Sequence, residues 1–207
     1  MMHAFGWAAL IFLGACLCLF FWASNLAARA AGRSIWLSGA ANGHDRRAAF
    51  GCRAAFGLSF AGPLLWMILP ALHKVDPLWT EGRLALPGLA GVVLCAVGAM
   101  AAVAAQVSMG ASWRVGVQPG ETGALVKGGL FRLSRNPTML GQLLLLAGVA
   151  IAIPALPTLS AVAIFFWSAC VQIKSEEDVL AASNGPEYRA FRRSVPRWLG
   201  WPRKVKL

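Results

Sequence analysis

Two short stretches of this chain carry residues that can bind a polar ligand at the edge of an apolar region. The first is LVKGGLFRLSRNPTMLG, residues 125–141, in which glycines and arginines run directly into an apolar helix. Gly128-Gly129 would let backbone amides approach a ligand closely. Lys127 is followed by Gly, not preceded by it in a Gly-Lys-Ser/Thr order, so this is not a phosphate loop. Pro137 suits a helix start, Asn136 its N-cap, and Arg135 would stand at the helix mouth. The second stretch is Glu176-Glu177-Asp178, an acidic cluster in an otherwise basic tail. Adjacent carboxylates repel, and a cationic ligand or an arginine partner would turn that repulsion into attraction. Each stretch also has a plainer reading: an ordinary glycine loop, an arginine anchored in lipid headgroups, a solvated acidic turn. Together they read as two halves of one cofactor site at a membrane surface.

The elements that must position these halves are membrane spans. Apolar residues make up 58% of the 207 positions and charged residues 13%, against roughly 45–50% and 25% in a soluble domain. The apolar residues fall in blocks long enough to cross a bilayer, which takes about 20 residues. The expected fold is an all-α integral membrane protein with about five transmembrane helices, over residues 4–27, 54–72, 84–108, 138–153 and 158–173. Gly62-Pro63 predicts a kink in the second span, and the Ala- and Gly-rich third span suits close helix packing. Pro154 and Pro157 make the last two spans a tight hairpin. In the tail, Asn184-Gly185 reads as a helix stop, Pro186-Glu187 as a restart, and Val195-Pro196 as the end. One membrane domain is expected, with three N-terminal spans in 1–108 and the site-bearing core in 109–207.

The net charge of +11 does not point to nucleic acid, because the basic residues flank apolar blocks and suit a face of anionic lipid. Of the 19 Lys and Arg, all but Lys74 and Arg83 fall in the first loop (Arg29, Arg33, Arg46, Arg47, Arg53), the polar interlude 109–137, and the tail. The positive-inside rule then puts the interlude and tail in the cytoplasm and the N-terminus outside. No basic residue precedes the first span, so it reads as retained and not as a cleaved signal peptide. The five cysteines and three histidines show no metal-ligand spacing. No span holds an ionisable residue near its middle, which argues against a transporter or channel. Polar chemistry confined to the lipid–water boundary suits an enzyme that joins a water-soluble cofactor to a lipophilic substrate.

The pattern Leu125-Val126, Gly128, Arg132, Arg135-Asn136-Pro137, Gly141, Gly148, Glu176-Glu177, Leu180, Gly185, Tyr188 and Val195-Pro196-Arg197, preceded by Met109-Gly110 and Ser112-Trp113-Arg114, resembles the isoprenylcysteine carboxyl methyltransferase and phospholipid methyltransferase superfamily. The resemblance covers residues 109–202. It implies an S-adenosylmethionine-dependent methyltransferase of a bacterial inner membrane. Its cytoplasmic cofactor pocket would be formed by the loop before the fourth span and the helical tail. It also implies Val126, Gly128, Leu130, Arg135, Asn136, Glu176 and Glu177 as cofactor residues. Arg193 and Arg114 are the candidates for orienting an anionic acceptor, and no metal is expected. Asn136 and Thr138 stand where that family usually has histidine and an aromatic residue. The acceptor would be a lipophilic or lipidated molecule, with O-methyl transfer favoured and N- or S-methyl transfer open. An NADPH-dependent membrane reductase like the sterol reductases and a non-catalytic membrane protein are the alternative readings.

Overall fold

The computed structural model describes residues 4–32, 35, 43–79, 85–113 and 125–202. Among these, the regular structure is helical: α1 (Ala4–Ala31), α2 (Gly43–Ile68), α3 (Pro70–Val75), α4 (Ala85–Met109), α5 (Pro137–Ala152) and α6 (Leu156–Ser194). Short 3-10 turns cover Gly110–Ser112 and Gly129–Arg132. Helices α1, α2, α4 and α6 are each long and apolar enough to cross a membrane. The fifth apolar helix, α5, has 16 residues and would extend only about 24 Å. The protein is an integral membrane protein built from helices, as composition and block length predict.

The helices run back and forth between two ends. At one, the hairpin end, lie the α2–α3 region and the α5–α6 turn; at the other, the tail end, lie the 3-10 turns and the C-terminal segment. Helix α2 differs from expectation. It begins at Gly43, so Arg46, Arg47 and Arg53 lie on a helix and not in a loop. Apolarity marks where lipid contact starts, whereas helical hydrogen bonding continues past that level. The expected kink site Pro63 lies inside α2. Helix α6 follows expectation in its tail: Gly185 is non-helical at φ 40°, ψ −114°, with Pro186 restarting the helix.

The tightest contact is between α4 and α5, which run antiparallel. Gly91 and Gly98 on α4, and Gly141 and Gly148 on α5, are each two turns apart and so share a face. A Cβ on Gly98 would sit 2.6 Å from the Gly141 carbonyl oxygen, and one on Gly141 would sit 2.8 Å from that of Gly98. Gly91 and Gly148 repeat the arrangement at 2.7 and 2.6 Å. Any side chain here would push the backbones apart, which in lipid removes the van der Waals packing that joins helices. Helix α2 packs on α6 and α1 on α4, but α1 and α2 scarcely meet, leaving a cleft between them.

Buried polar groups fix both ends. At the hairpin end Asp76, 4% exposed, accepts hydrogen bonds from Trp66 Nε1 at 2.9 Å, Leu78 N–H at 2.9 Å and Leu156 N–H at 2.8 Å. The last of these caps the start of α6, where a carboxylate also suits the helix dipole. At the tail end Gln106 Nε2 donates to the Phe20 carbonyl at 3.0 Å and to Ser24 Oγ at 2.9 Å. Trp113 Nε1 donates to the same hydroxyl at 3.1 Å, so α1 and α4 are joined where α4 ends.

The glycine contact predicts a sharp mutational contrast. Gly98→Ala and Gly141→Ala should each destabilise the detergent-solubilised protein by about 1–3 kcal/mol. Gly57→Ala, where an added Cβ meets nothing within 4 Å, should leave thermal stability unchanged. Equal behaviour of the three variants would refute the close approach of α4 and α5.

Candidate functional site

The loop before α5 is held by the chain's C-terminal segment, backbone to backbone. Arg135 N–H donates to the Pro196 carbonyl at 3.0 Å and Gly200 N–H to the Leu133 carbonyl at 3.0 Å. Asn136 occupies the N-cap position of α5 without a side-chain capping bond; its Nδ2 donates instead to the Arg197 carbonyl at 3.0 Å. Its backbone N–H is taken by Ser134 Oγ at 3.0 Å. Residues 196–200 thus form a strap laid against residues 133–136. Upstream, Gly129 has φ 56°, a left-handed conformation that favours glycine. It starts the 3-10 turn that buries Phe131 against Tyr188, Phe191 and Val195. The glycines therefore shape this turn: Gly128 is exposed, and neither it nor Leu130 lines the cavity described below.

The loop, α6 and the strap meet at one carboxylate. Glu177 Oε1 accepts from Arg135 Nη2 at 2.7 Å and Arg197 Nε at 3.0 Å, while Oε2 accepts from Arg197 Nη2 at 2.6 Å. The side chains of Arg135 and Glu177 are 8% and 7% exposed, and that of Arg197 is 43% exposed. Charge-assisted, two-pronged bonds of this kind are short and directional. The hydrogen bonds that Arg197 donates to Glu177 raise its pKa above its ordinary value, outweighing the opposite effect of burial. Arg135 Nη1 also donates to the Arg192 carbonyl at 3.2 Å. Its Nε–H is buried and has no partner among the described residues, an open donor on a side chain that lines the cavity.

That cavity has a volume of 480 Å³, within the roughly 300–1,000 Å³ of small-molecule sites. Its lining combines polar side chains, among them Asp45, Arg53, Arg135, Asn136, Gln142, Gln172 and Glu176, with apolar ones that include Leu17, Phe20 and Phe21 of α1 and Cys52 and Phe56 of α2. Gln172 Nε2 donates to Glu176 Oε1 at 3.0 Å, and Ser175 Oγ donates to Asp45 Oδ2 at 2.9 Å, which ties α6 to the start of α2.

Of the residues implicated in cofactor binding, Val126, Arg135, Asn136, Glu176 and Glu177 come together on the cavity wall. Both oxygens of Glu177 are taken by guanidinium groups. Arg193 is exposed and is not a lining residue. Arg114 lies outside the described residues. The sequence reading assigned no role to Arg197 or Tyr188, although both stand in the quoted pattern. Nor did it single out Gln142, Gln172 or Asp45, which carry no local signal. Only the approach of α2, α5 and α6 makes them neighbours.

Residues 87–186 match the family model described as phospholipid methyltransferase. The matched stretch runs from the start of α4 through the glycine contact and the loop to the Gly185 bend, and so includes most of the site. The resemblance read from residues 109–202 pointed to the same superfamily of membrane methyltransferases. No match was found among curated proteins or among solved structures. Within this methyltransferase family stretch lie both Arg135 and Glu177, whereas Arg197 comes from the chain beyond it.

Two measurements test this geometry. Glu177→Gln should cost about 3 kcal/mol of stability, because it leaves buried Arg135 without its counter-charge. Glu187→Gln, at the exposed Lys127–Glu187 pair, should cost only about 0–1 kcal/mol. Tyr188 is the chain's single tyrosine. Burial first, then the nearby Glu177 carboxylate, pushes its pKa up to about 12. A raised folded-state pKa means that its contribution to stability is complete below the ordinary value of about 10. That contribution is lost as pH rises toward 12. Alkaline absorbance titration should show the phenolate appearing near pH 12; a midpoint near the ordinary value would contradict the burial.

Proposed function

We propose that the protein is an S-adenosylmethionine-dependent methyltransferase acting on a lipophilic, membrane-partitioned acceptor. The observation that carries this reading is one cavity whose wall combines charged and amide side chains from the loop before α5 and from α6 with apolar side chains from α1 and α2. The family match supports methyl transfer, and the lining supports the choice of cofactor. The cofactor's amino-acid part offers an ammonium group and a carboxylate. Glu176, a carboxylate on the cavity wall, suits the ammonium. The open Nε–H of Arg135 suits the carboxylate. Tyr188, Phe131 and Phe191 supply an aromatic wall for the remainder.

When bound, S-adenosylmethionine supplies a methyl group on a sulfonium, a carbon already activated for in-line displacement. The chain's own residues then have two tasks, orientation and exclusion of water. Arg135 can orient because it cannot swing: Glu177 and the Arg192 carbonyl hold its guanidinium from two sides. The apolar walls of α1 and α2 offer a seat for an acyl or prenyl chain, with its reactive head toward the polar side chains. Asn136 has no titratable proton and is engaged with the strap, so it orients the loop and transfers no proton. The excess of Lys and Arg near the tail end supports a cytoplasmic position for it, where a soluble cofactor would reach it.

Calorimetric titration of the purified protein in detergent should show binding of S-adenosylhomocysteine and none of NADPH. Glu176→Gln should weaken that binding about tenfold or more, the worth of a hydrogen bond to a charged group. Binding of NADPH alone would sink the reading, and binding of neither by a folded protein would favour a non-catalytic role.

A further inference from the structure

We infer that the C-terminal strap dips into the lipid headgroup region, and that its exposed Leu199 and Trp201 are seated in a bilayer surface carrying anionic lipid. This goes beyond the proposed methyl transfer and does not depend on it.

The argument begins with depth. Trp198 stacks on Phe166 of α6, with ring centroids 5.6 Å apart and planes 25° from parallel. Phe166 lies in the apolar part of α6 and, like its neighbour Trp167, is about half exposed, as a lipid-facing residue is. The first charged residue of α6, Lys174, lies about 12 Å further along the helix toward the tail end. The strap therefore turns back past the level of Lys174 and brings an indole beside a lipid-facing phenyl ring. It cannot swing away, because Gly200 N–H holds the Leu133 carbonyl and Arg197 holds Glu177.

The residues that flank Trp198 then need a solvent. Leu199 is 67% exposed and Trp201 85% exposed. Left in water, two large apolar side chains on a pinned segment would be an unexplained cost, at about 25 cal/mol per Å² of apolar surface. At this depth the medium is the boundary of the bilayer, where tryptophan is enriched. Charge selects the lipid. Arg189, Arg192 and Arg193 are exposed on the helix before the strap, and Arg203, Lys204 and Lys206 follow it in the sequence. Basic residues beside aromatic ones complement an anionic lipid surface.

The test uses the full chain in nanodiscs of mixed neutral and anionic phospholipid. An environment-sensitive fluorescent amino acid is introduced by nonsense suppression at position 201 or, separately, at 199. A third protein carries it at 182, an exposed position on α6 beyond Lys174. The expected result is a blue-shifted emission at 199 and 201, quenched severalfold more strongly than at 182 by lipids spin-labelled near the headgroup. Emission and quenching matching those at 182 would overturn the inference. So would a blue shift without lipid quenching, accompanied by cross-linking to a second copy, since a protein partner would then cover the strap. Quenching that is unchanged in purely zwitterionic nanodiscs would overturn the assignment to anionic lipid. None of these readings requires a cofactor, so failure here and failure of S-adenosylhomocysteine binding are separate results.

Discussion

The site depends on one buried carboxylate held between two arginines. Glu177 stands on α6, Arg135 on the loop that opens α5, and Arg197 on the strap that ends the fold. These three parts are separate in sequence and meet at this carboxylate. A charge buried at the lipid–water boundary is costly unless it is paired and hydrogen-bonded. Both oxygens of Glu177 are satisfied, so the arrangement is stable only when all three parts are in place. Such a cluster specifies geometry more than it adds net stability.

The glycine contact between α4 and α5 does for the membrane part what Glu177 does for the tail. With four glycines in register, the backbones of the two helices nearly touch, and α5 can remain short and buried. Its first turn is then brought below the level of the tail, where Arg135 meets α6. Along α1 and α2 the opposite holds. These helices pack on different partners, and side chains of both line the cavity. Close packing on one side and separation on the other follow from where the small residues fall.

Much of the helix order was readable because lipid imposes a simple rule: apolar blocks of sufficient length, ended by charge or proline. The bend at Gly185 was readable for a similar local reason, in that Asn-Gly-Pro can do little else. The start of α2 was not, since hydropathy reports the lipid boundary and not the end of hydrogen bonding. In the site, Arg135, Glu176 and Glu177 stood out as charges beside apolar runs. Their division of labour was not legible. It depends on Arg197, which reaches Glu177 only because the strap folds back, and nothing local in Val195-Pro196-Arg197 says so. Gln142, Gln172 and Asp45 are ordinary residues on apolar helices, and only helix packing gives them a shared cavity.

Asn136 shows how a change of residue type can preserve a structure while altering its chemistry. At the N-cap of α5 an asparagine would ordinarily bond to the helix's own amides. Here the Ser134 hydroxyl takes the Asn136 N–H, and the freed amide side chain reaches across to the Arg197 carbonyl. The result is a second tie between loop and strap, parallel to the ionic one and independent of pH. A histidine at this position could offer a similar donor but would titrate near neutrality. The asparagine keeps the tie and removes the titration. At the mouth of the cavity Arg135 is thus fixed by Glu177 and the loop by the strap, and residue 136 carries a hydrogen-bond donor with no titratable proton.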